Sequence, residues 1–527
     1  MIPDHLPPCA ADSTPVSTRK RAGGKRSKTG CRTCRARHIK CDEAPRTCNN
    51  CKLTGRPCDG YDFHRLPRAG RKTQAIATTP PVALPSGAYW VMNTDQQRAF
   101  AFFQHRTTSA FLGWFDSSLW QRLVLQMSQA DPAVYHAVIA VSAIHQDFER
   151  QGMPLPREDL GNTWHRFALE QSSRSFALLN ARRASQDPRL REVTLVCCLL
   201  FVTLELIRGQ YDDAFRHLHC GLDILKELNA QDQLVPKATG PQLVEQSLVE
   251  AFAHLDMQSI QFGVRGPRLL IGEQASHYLS KGQVSSFRTL PEARRALDHL
   301  LADVLQFSSQ SPCATGRQIA SDYEALYRKQ RSLCGQVDSY AQRFNMFRKE
   351  AYSRLSRKEQ RGVDVIHLHQ RTATLLLETC LLDGNDPVMD QYTPEFQRLL
   401  YLVEPIMNAS PERPSVCLDM GIIPTLMLVA VNCRDYHVRW QAIEMLRSWP
   451  HREGPWDSNL VARIAEETMM LETSHHINVN RDGTTPNGDP EPSMRGVFFS
   501  VAEDQRQVRI SYCLDGTEYE RWVKLED

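Results

Sequence analysis

Along most of the chain apolar residues return every three or four positions, the spacing that gathers them on one face of a helix. In AFLGWFDSSLWQRLVLQMSQ the residues Phe111, Trp114, Phe115, Leu119, Trp120, Leu123 and Leu125 form such a stripe and predict an amphipathic helix, with Gly113 weakening its first turn. DPAVYHAVIAVSAIHQDFE predicts a more buried helix opened by Asp131 and Pro132. Residues 193–207, VTLVCCLLFVTLELI, are apolar almost all round. Fifteen residues that include Glu205 are too few to span a bilayer, so this segment reads as a core helix of a large bundle. Gly209 is expected to end it and YDDAFRHLHCGLDILKEL to return as the next, antiparallel helix. VIHLHQRTATLLLETCLL, FQRLLYLVEPIM, MGIIPTLMLVAVNC and VRWQAIEMLRSW carry the pattern on, and no strand-like alternation dominates.

The pattern fails at both ends. Residues 1–18 are polar and aperiodic, and Thr73 to Thr94 carries no charge while Pro80, Pro81 and Pro85 prevent a regular helix. SHHINVNRDGTTPNGDPEPS is polar and turn-rich, and beyond it GVFFSV, QVRISYCL and ERWVKL favour strands. The division predicted is a basic disordered tail (1–30), a compact module (31–60), a linker (61–94), a large all-α domain (95–473) and a polar loop with a small terminal β element (474–527).

Charge separates the two ends. Residues 1–72 hold 17 Lys and Arg against 6 Asp and Glu, a net of +11, whereas the whole chain is +3 and the remainder therefore −8. Such segregation is the electrostatic footprint of a nucleic-acid-binding end. RKRAGGKRSK, residues 19–28, reads as a nuclear address, a phosphate-binding arm, or both.

Within the basic end lies CRTCRARHIKCDEAPRTCNNCKLTGRPC. Cys31, Cys34 and Cys41 recur as Cys48, Cys51 and Cys58 at one constant offset of 17 residues. Six thiolates are too many for one tetrahedral zinc ion and fill two sites only if two sulfurs bridge. Two Zn2+ ions on six thiolates is the simplest reading, and in so short a segment metal binding must supply the folding free energy. Disulfides are disfavoured because the chain opens MIPDHLPP, without a signal peptide, and a RING-type double site needs eight ligands at other spacings. The first half-repeat carries Arg32, Arg35, Arg37, His38 and Lys40. The second carries only Lys52 and Arg56, with the helix breakers Gly55 and Pro57.

This spacing resembles that of the fungal Zn2Cys6 binuclear-cluster transcription factors. The resemblance implies that Cys31 and Cys48 bridge, that the short helix following the second cysteine enters the major groove, and that Arg37 and His38 stand at the positions contacting a CGG-type triplet. Arg suits guanine because its fork meets O6 and N7 together, while Arg35, Lys40, Lys52 and Arg56 are assigned to phosphates, which fix register without reading sequence. The stretches LFVTLELIRGQYDDAFRHLHCGLDIL, AFLGWFDSSLWQRLVLQ and LDMGIIPTLMLVAVNCRDYHVRWQAIEMLRSWPHREGPWDS resemble the fungus-specific helical regulatory domain that accompanies such clusters.

The function expected is that of a nuclear, zinc-dependent, sequence-specific regulator of RNA polymerase II transcription, with double-stranded DNA as partner. Transcription machinery, co-regulators and a small-molecule effector are further partner classes for the helical domain. No heptad coiled coil is legible between Asp59 and Asp95, so the DNA-binding end is expected to act as a monomer or a loosely coupled pair. No membrane segment is expected. Nor is an enzyme: there is no HExxH, P-loop, nucleophile elbow or GxGxxG after a strand. The pairs His217/His219 and His367/His369 point to different faces of a helix and are no shared metal site, while Cys197, Cys198, Cys220, Cys380, Cys417 and Cys433 read as buried small residues. The competing reading is a zinc-scaffolded, chromatin-associated interaction protein with only nonspecific DNA tethering.

Overall fold

The computed structural model describes residues 30–45, 47–61, 93–156, 161–187, 189–228, 245–262, 269, 286–310, 316–382, 387–409, 413–481, 495–501, 507–514 and 517–524. The expected disordered tail and the linker fall almost wholly outside them. The chain forms two compact units, Met1–Pro81 and Val82–Asp527.

In the small unit α1 (Arg32–Ala36) and α2 (Asn49–Leu53) are built on one local plan. Each is opened by a cysteine: the Cys31 sulfur accepts the N–H of Cys34 and the Cys48 sulfur that of Cys51, both at 3.3 Å. Each is closed by a left-handed residue, His38 (φ 55) or Gly55 (φ 60), after which the Ile39 N–H donates to the Cys34 carbonyl and the Arg56 N–H to that of Cys51. Glu43 (φ 58) and Gly60 (φ 72) form a second left-handed pair at the same offset. The sequence repeat is thus a repeat of backbone conformation. Its core consists of the cysteines and Tyr61, whose hydroxyl donates to the Ala44 carbonyl.

In the large unit, α3 (Thr94–Phe102) starts at a reciprocal Asn93/Gln96 capping box and continues through a π-helical turn, Phe103–Thr107, into α4 (Thr108–Phe111). The helix expected over 110–129 is interrupted. Gly113 lies so near Pro414 that a Cβ would come within 2.8 Å of its ring, and a second π-helical turn, Leu119–Leu123, leads into α5 (Val124–Ala130). Of the predicted stripe Phe111, Trp114, Phe115, Leu119 and Trp120 are buried, whereas Leu123 and Leu125 are half-buried and Val124 between them takes the core position.

Next come α6 (Pro132–Gln151), capped by the Asp131 carboxylate and ended by Gly152, α7 (Thr163–Ala181), and α8 (Leu190–Arg208), which stops at the left-handed Gly209. Then follow α9 (Tyr211–Glu227), α10 (Gln246–Ser259), α11 (Leu290–Gln310), the long α12 (Gly316–Ala351), α13 (Arg357–Thr379) and α14 (Thr393–Asn408). α6 packs on α7 and α8, and α8 on α9; α13 bridges α11, α12 and α14.

The last part of the helical unit is tied by a sheet too small to be read from alternation. β1 (Val416–Cys417) precedes α15 (Ile423–Asn432) and α16 (Tyr436–Ser448), and lies parallel to β2 (Arg452–Glu453), which turns back antiparallel into β3 (Trp456–Asp457). The Glu453 carboxylate accepts three successive N–H groups, from Gly421, Ile422 and Ile423, at 2.9–3.0 Å, and so caps α15. Arg452 pairs with Asp457 at 2.7 Å, donates to the carbonyls of Ile207 and Pro154, and lies over the Phe148 ring. A stretch that resembled the regulatory domain, HREGPWDS, is therefore the buried knot joining α6, α8 and α15.

α17 (Ser458–Arg481) runs past the expected end of the helical domain: SHHINVNR, read as polar loop, continues the helix. β4 (Arg495–Val501), β5 (Gln507–Leu514) and β6 (Thr517–Lys524) form the anticipated terminal antiparallel sheet, burying Val508, Ile510 and Val523.

Candidate metal centre and nucleic-acid interface

The six sulfurs of the small unit converge. Cys31, Cys34, Cys41 and Cys48 form one group and Cys31, Cys48, Cys51 and Cys58 another, the sulfurs of each lying within 4.8 Å of one another. Two residues, Cys31 and Cys48, belong to both. A tetrahedral ion with metal–sulfur bonds of about 2.3 Å sets its ligands about 3.8 Å apart. The separations Cys31–Cys48 (3.6 Å), Cys31–Cys51 (3.8 Å) and Cys34–Cys48 (3.5 Å) match that edge, so the residues fit zinc.

Burial pushes the thiols of Cys34, Cys41 and Cys48 up, because a thiolate loses hydration there. Cys58 is also pushed up by burial, but hydrogen bonds from the backbone N–H groups of Cys48 and Gly60, together with those to the Cys31 and Cys51 side chains, bring it below the ordinary value. Cys41 accepts the corresponding bonds from Cys31 and Glu43, at 3.4 and 3.3 Å.

The halves lock by reciprocal bonds that the 17-residue offset interchanges. Thr33 donates to the Pro57 carbonyl at 3.1 Å, while Asn50 donates to the Lys40 carbonyl at 2.6 Å. Asp42 accepts the N–H of Asn50, and its counterpart Asp59 the hydroxyl of Thr33. Arg37 donates to Thr54, its own counterpart, at 3.1 Å. Reading the sequence for charge missed Thr33, Asn50 and Thr54. Comparing the half-repeats position by position would have singled them out.

His38, Lys40, Lys52 and Arg56 are exposed, and Arg35 and Arg37 are half-buried. One expectation is corrected: the helix begins before Cys34 and ends at Ala36, so Arg37 and His38 lie past its end. The left-handed turn at His38 is what stops it.

In the helical unit His367 and His369 have separate surroundings. His369 donates to the Gly421 carbonyl at 2.7 Å, whereas burial pushes His367 down to about 4. Cys197, Cys198, Cys417 and Cys433 are buried as expected and Cys380 half-buried, but Cys220 is exposed, on the outer face of α9. A cavity of about 600 Å3 opens between α10, α11 and the Trp114–Trp120 segment. On its wall Arg294 pairs with Asp419 at 2.6 Å and lies over the Phe115 ring, and burial pushes the Glu250 carboxyl up. No helix among the described residues is long and apolar enough to cross a membrane.

A small unit able to fold around two metal ions, followed by a large helical body, defines the class: a metal-dependent binding module with an attached regulatory domain. Residues 99–452 match the fungal specific transcription factor domain and residues 29–66 the fungal Zn(2)-Cys(6) binuclear cluster domain, which binds two zinc ions. The chain belongs to this family of fungal transcription regulators.

Among its relatives, the aspercryptin biosynthesis cluster-specific transcription regulator of Emericella nidulans is 24% identical over 92% of this chain and 94% of its own. The transcriptional regulatory protein moc3 of Schizosaccharomyces pombe is 39% identical over 16% of this chain and 14% of its own. White-opaque regulator 2 of Candida albicans is 44% identical over 11% and 13%. No solved structure matches.

Proposed function

We propose that this protein is a nuclear, sequence-specific DNA-binding regulator of RNA polymerase II transcription that reads CGG-like triplets in the major groove. The observation that carries it is the pair of four-sulfur groups sharing Cys31 and Cys48, with basic side chains displayed around them. Cys31 and Cys48, common to both sulfur groups, would serve both ions, with Cys34 and Cys41 completing one ligand set and Cys51 and Cys58 the other. Arg37 and His38 contact bases; Arg35, Lys40, Lys52 and Arg56 neutralise phosphates. Residues 31–60 are the DNA-binding domain and 95–473, with the extension of α17, the regulatory one. Transcription machinery and co-regulators engage the surface of that body, and its 600 Å3 cavity is assigned to a small-molecule effector. The protein is not an enzyme.

The test is selection of random duplexes by the zinc-loaded full-length protein beside a chelated sample. Enrichment of a CGG-like triplet that vanishes with chelator is expected. Salt-sensitive binding without any enriched sequence would replace this reading by the nonspecific tether. Arg37→Ala should relax one base position, whereas Lys52→Ala should weaken all sequences alike and lower the salt slope by about one.

A further inference from the structure

The basic residues sit mainly in the first half-repeat, yet the second reaches across to one of them. Arg37 Nη1 donates to Thr54 Oγ1 at 3.1 Å. The Thr54 hydroxyl donates in turn to the Asn50 carbonyl at 2.6 Å, so its proton is committed within α2 and a lone pair faces the guanidinium. Arg37 and Thr54 are counterparts at the 17-residue offset and cap the C-terminal ends of α1 and α2, so their contact joins equivalent positions of the two halves. Two features make Thr54 a firm anchor: its β-branched side chain is stiff, and its hydroxyl is held from behind.

We infer that Thr54 is a positioning residue for base recognition, holding the Arg37 fork in the orientation that meets a guanine edge. A guanidinium has five N–H donors; one bond to Thr54 leaves enough for a bidentate contact to O6 and N7. Arg37 would otherwise lose freedom about its long side chain on binding, and the anchor removes part of that loss beforehand. The inference rests on Arg37 reading a base.

The test compares Thr54→Val, Thr54→Ala and Thr54→Ser with Arg37→Ala in the full-length, zinc-loaded protein. Zinc content per chain is measured first. Duplex selection, the ratio of specific to nonspecific affinity, and the salt slope follow. Thr54→Val and Thr54→Ala should each lower the ratio on the order of five- to tenfold, at the one base position that Arg37→Ala relaxes, with zinc content and salt slope unchanged. Thr54→Ser, which keeps the hydroxyl, should restore it, and Arg37→Ala combined with Thr54→Val should lose no more than Arg37→Ala alone.

If Arg37→Ala relaxes a base while Thr54→Val and Thr54→Ala do not, or if they sharpen selectivity, the positioning role is overturned and base reading by Arg37 stands. If Arg37→Ala relaxes nothing, the base-reading assignment fails and the positioning role falls with it. A loss in both Thr54 variants accompanied by less than two zinc ions, and not repaired by Thr54→Ser, makes Thr54 a structural residue instead.

Discussion

Cys48 and Cys58 lie in the same half-repeat, but their removal should have different consequences. Cys48 belongs to both four-sulfur groups and Cys58 to one. Cys58→Ala leaves Cys31, Cys34, Cys41 and Cys48 as a complete tetrahedron, whereas Cys48→Ala leaves three sulfurs in each group. Little else stabilises the module, since among the described residues the buried apolar side chains beside the thiols are Tyr61 and the small Ala44. Burying one tyrosine contributes about 2–3 kcal/mol, while ordering the backbone costs about 1–2 kcal/mol for every residue. Each structural zinc supplies on the order of ten kcal/mol, so losing one site removes about half of the metal contribution and losing both leaves nothing to replace it. Native mass spectrometry of the full-length protein at one buffered zinc concentration should find two ions in the parent, one in Cys58→Ala and none in Cys48→Ala. Cys48→Ala that holds one zinc as tightly as Cys58→Ala would refute the bridge and with it the shared-edge geometry.

Two further expectations concern the helical body. His145 is buried between the hydroxyls of Thr107 and Ser415, with Glu149, Arg106 and Arg452 as its charged surroundings, and burial pushes it down to about 4. Since the unfolded imidazole titrates near 6.5, the neutral folded form contributes fully above that pH, and the contribution, on the order of 3 kcal/mol, is lost as pH falls from about 6.5 to 4. Denaturant titrations across this range should show stability falling toward acid, with a slope smaller by up to one proton in His145→Gln; an unchanged slope would remove His145 from the account. Gly221→Ala would set a Cβ 2.2 Å from the ring of the fully buried Phe252. Overpacking of this kind costs about 1–3 kcal/mol, so the body should melt several degrees lower, and an unshifted transition would show that α9 and α10 are not so closely packed.

What the sequence disclosed follows from the range of the forces involved. The metal centre was legible because its six cysteines fall within 28 residues, a number that two ions sharing sulfurs satisfy most simply. The helices were legible where apolar residues recur at helical spacing, as in α6, or run on almost all round, as in α8, and the stop of α8 where Gly209 turns left-handed. Glu453 was not, because what makes it necessary is three N–H groups at Gly421–Ile423, thirty residues away in sequence, and strands of two residues show no alternation. Gly421 was opaque for the same reason: a Cβ there would meet both Glu453 and Trp114 within 2.4 Å, a crowding visible only in the fold. The break at Gly113 and the exposure of Cys220 likewise depend on neighbours far along the chain.

The two half-repeats also differ in how they meet one shared demand. Both need left-handed backbone at two positions, and the second meets it with Gly55 and Gly60, which adopt it freely. The first places His38 and Glu43 there, at about 1–2 kcal/mol each for side chains other than glycine. Glu43 is buried and its N–H serves the Cys41 sulfur, so part of its cost is offset within the metal shell. His38 is exposed and does not belong to the buried cluster of the module. A strained residue whose side chain faces solvent is explained by what that side chain meets, and glycine suffices where nothing is to be met. The half that bears the strain is also the half richer in basic residues, so conformation and charge, two independent observations, both favour the proposal that residues 31–41 read DNA and residues 48–58 brace them.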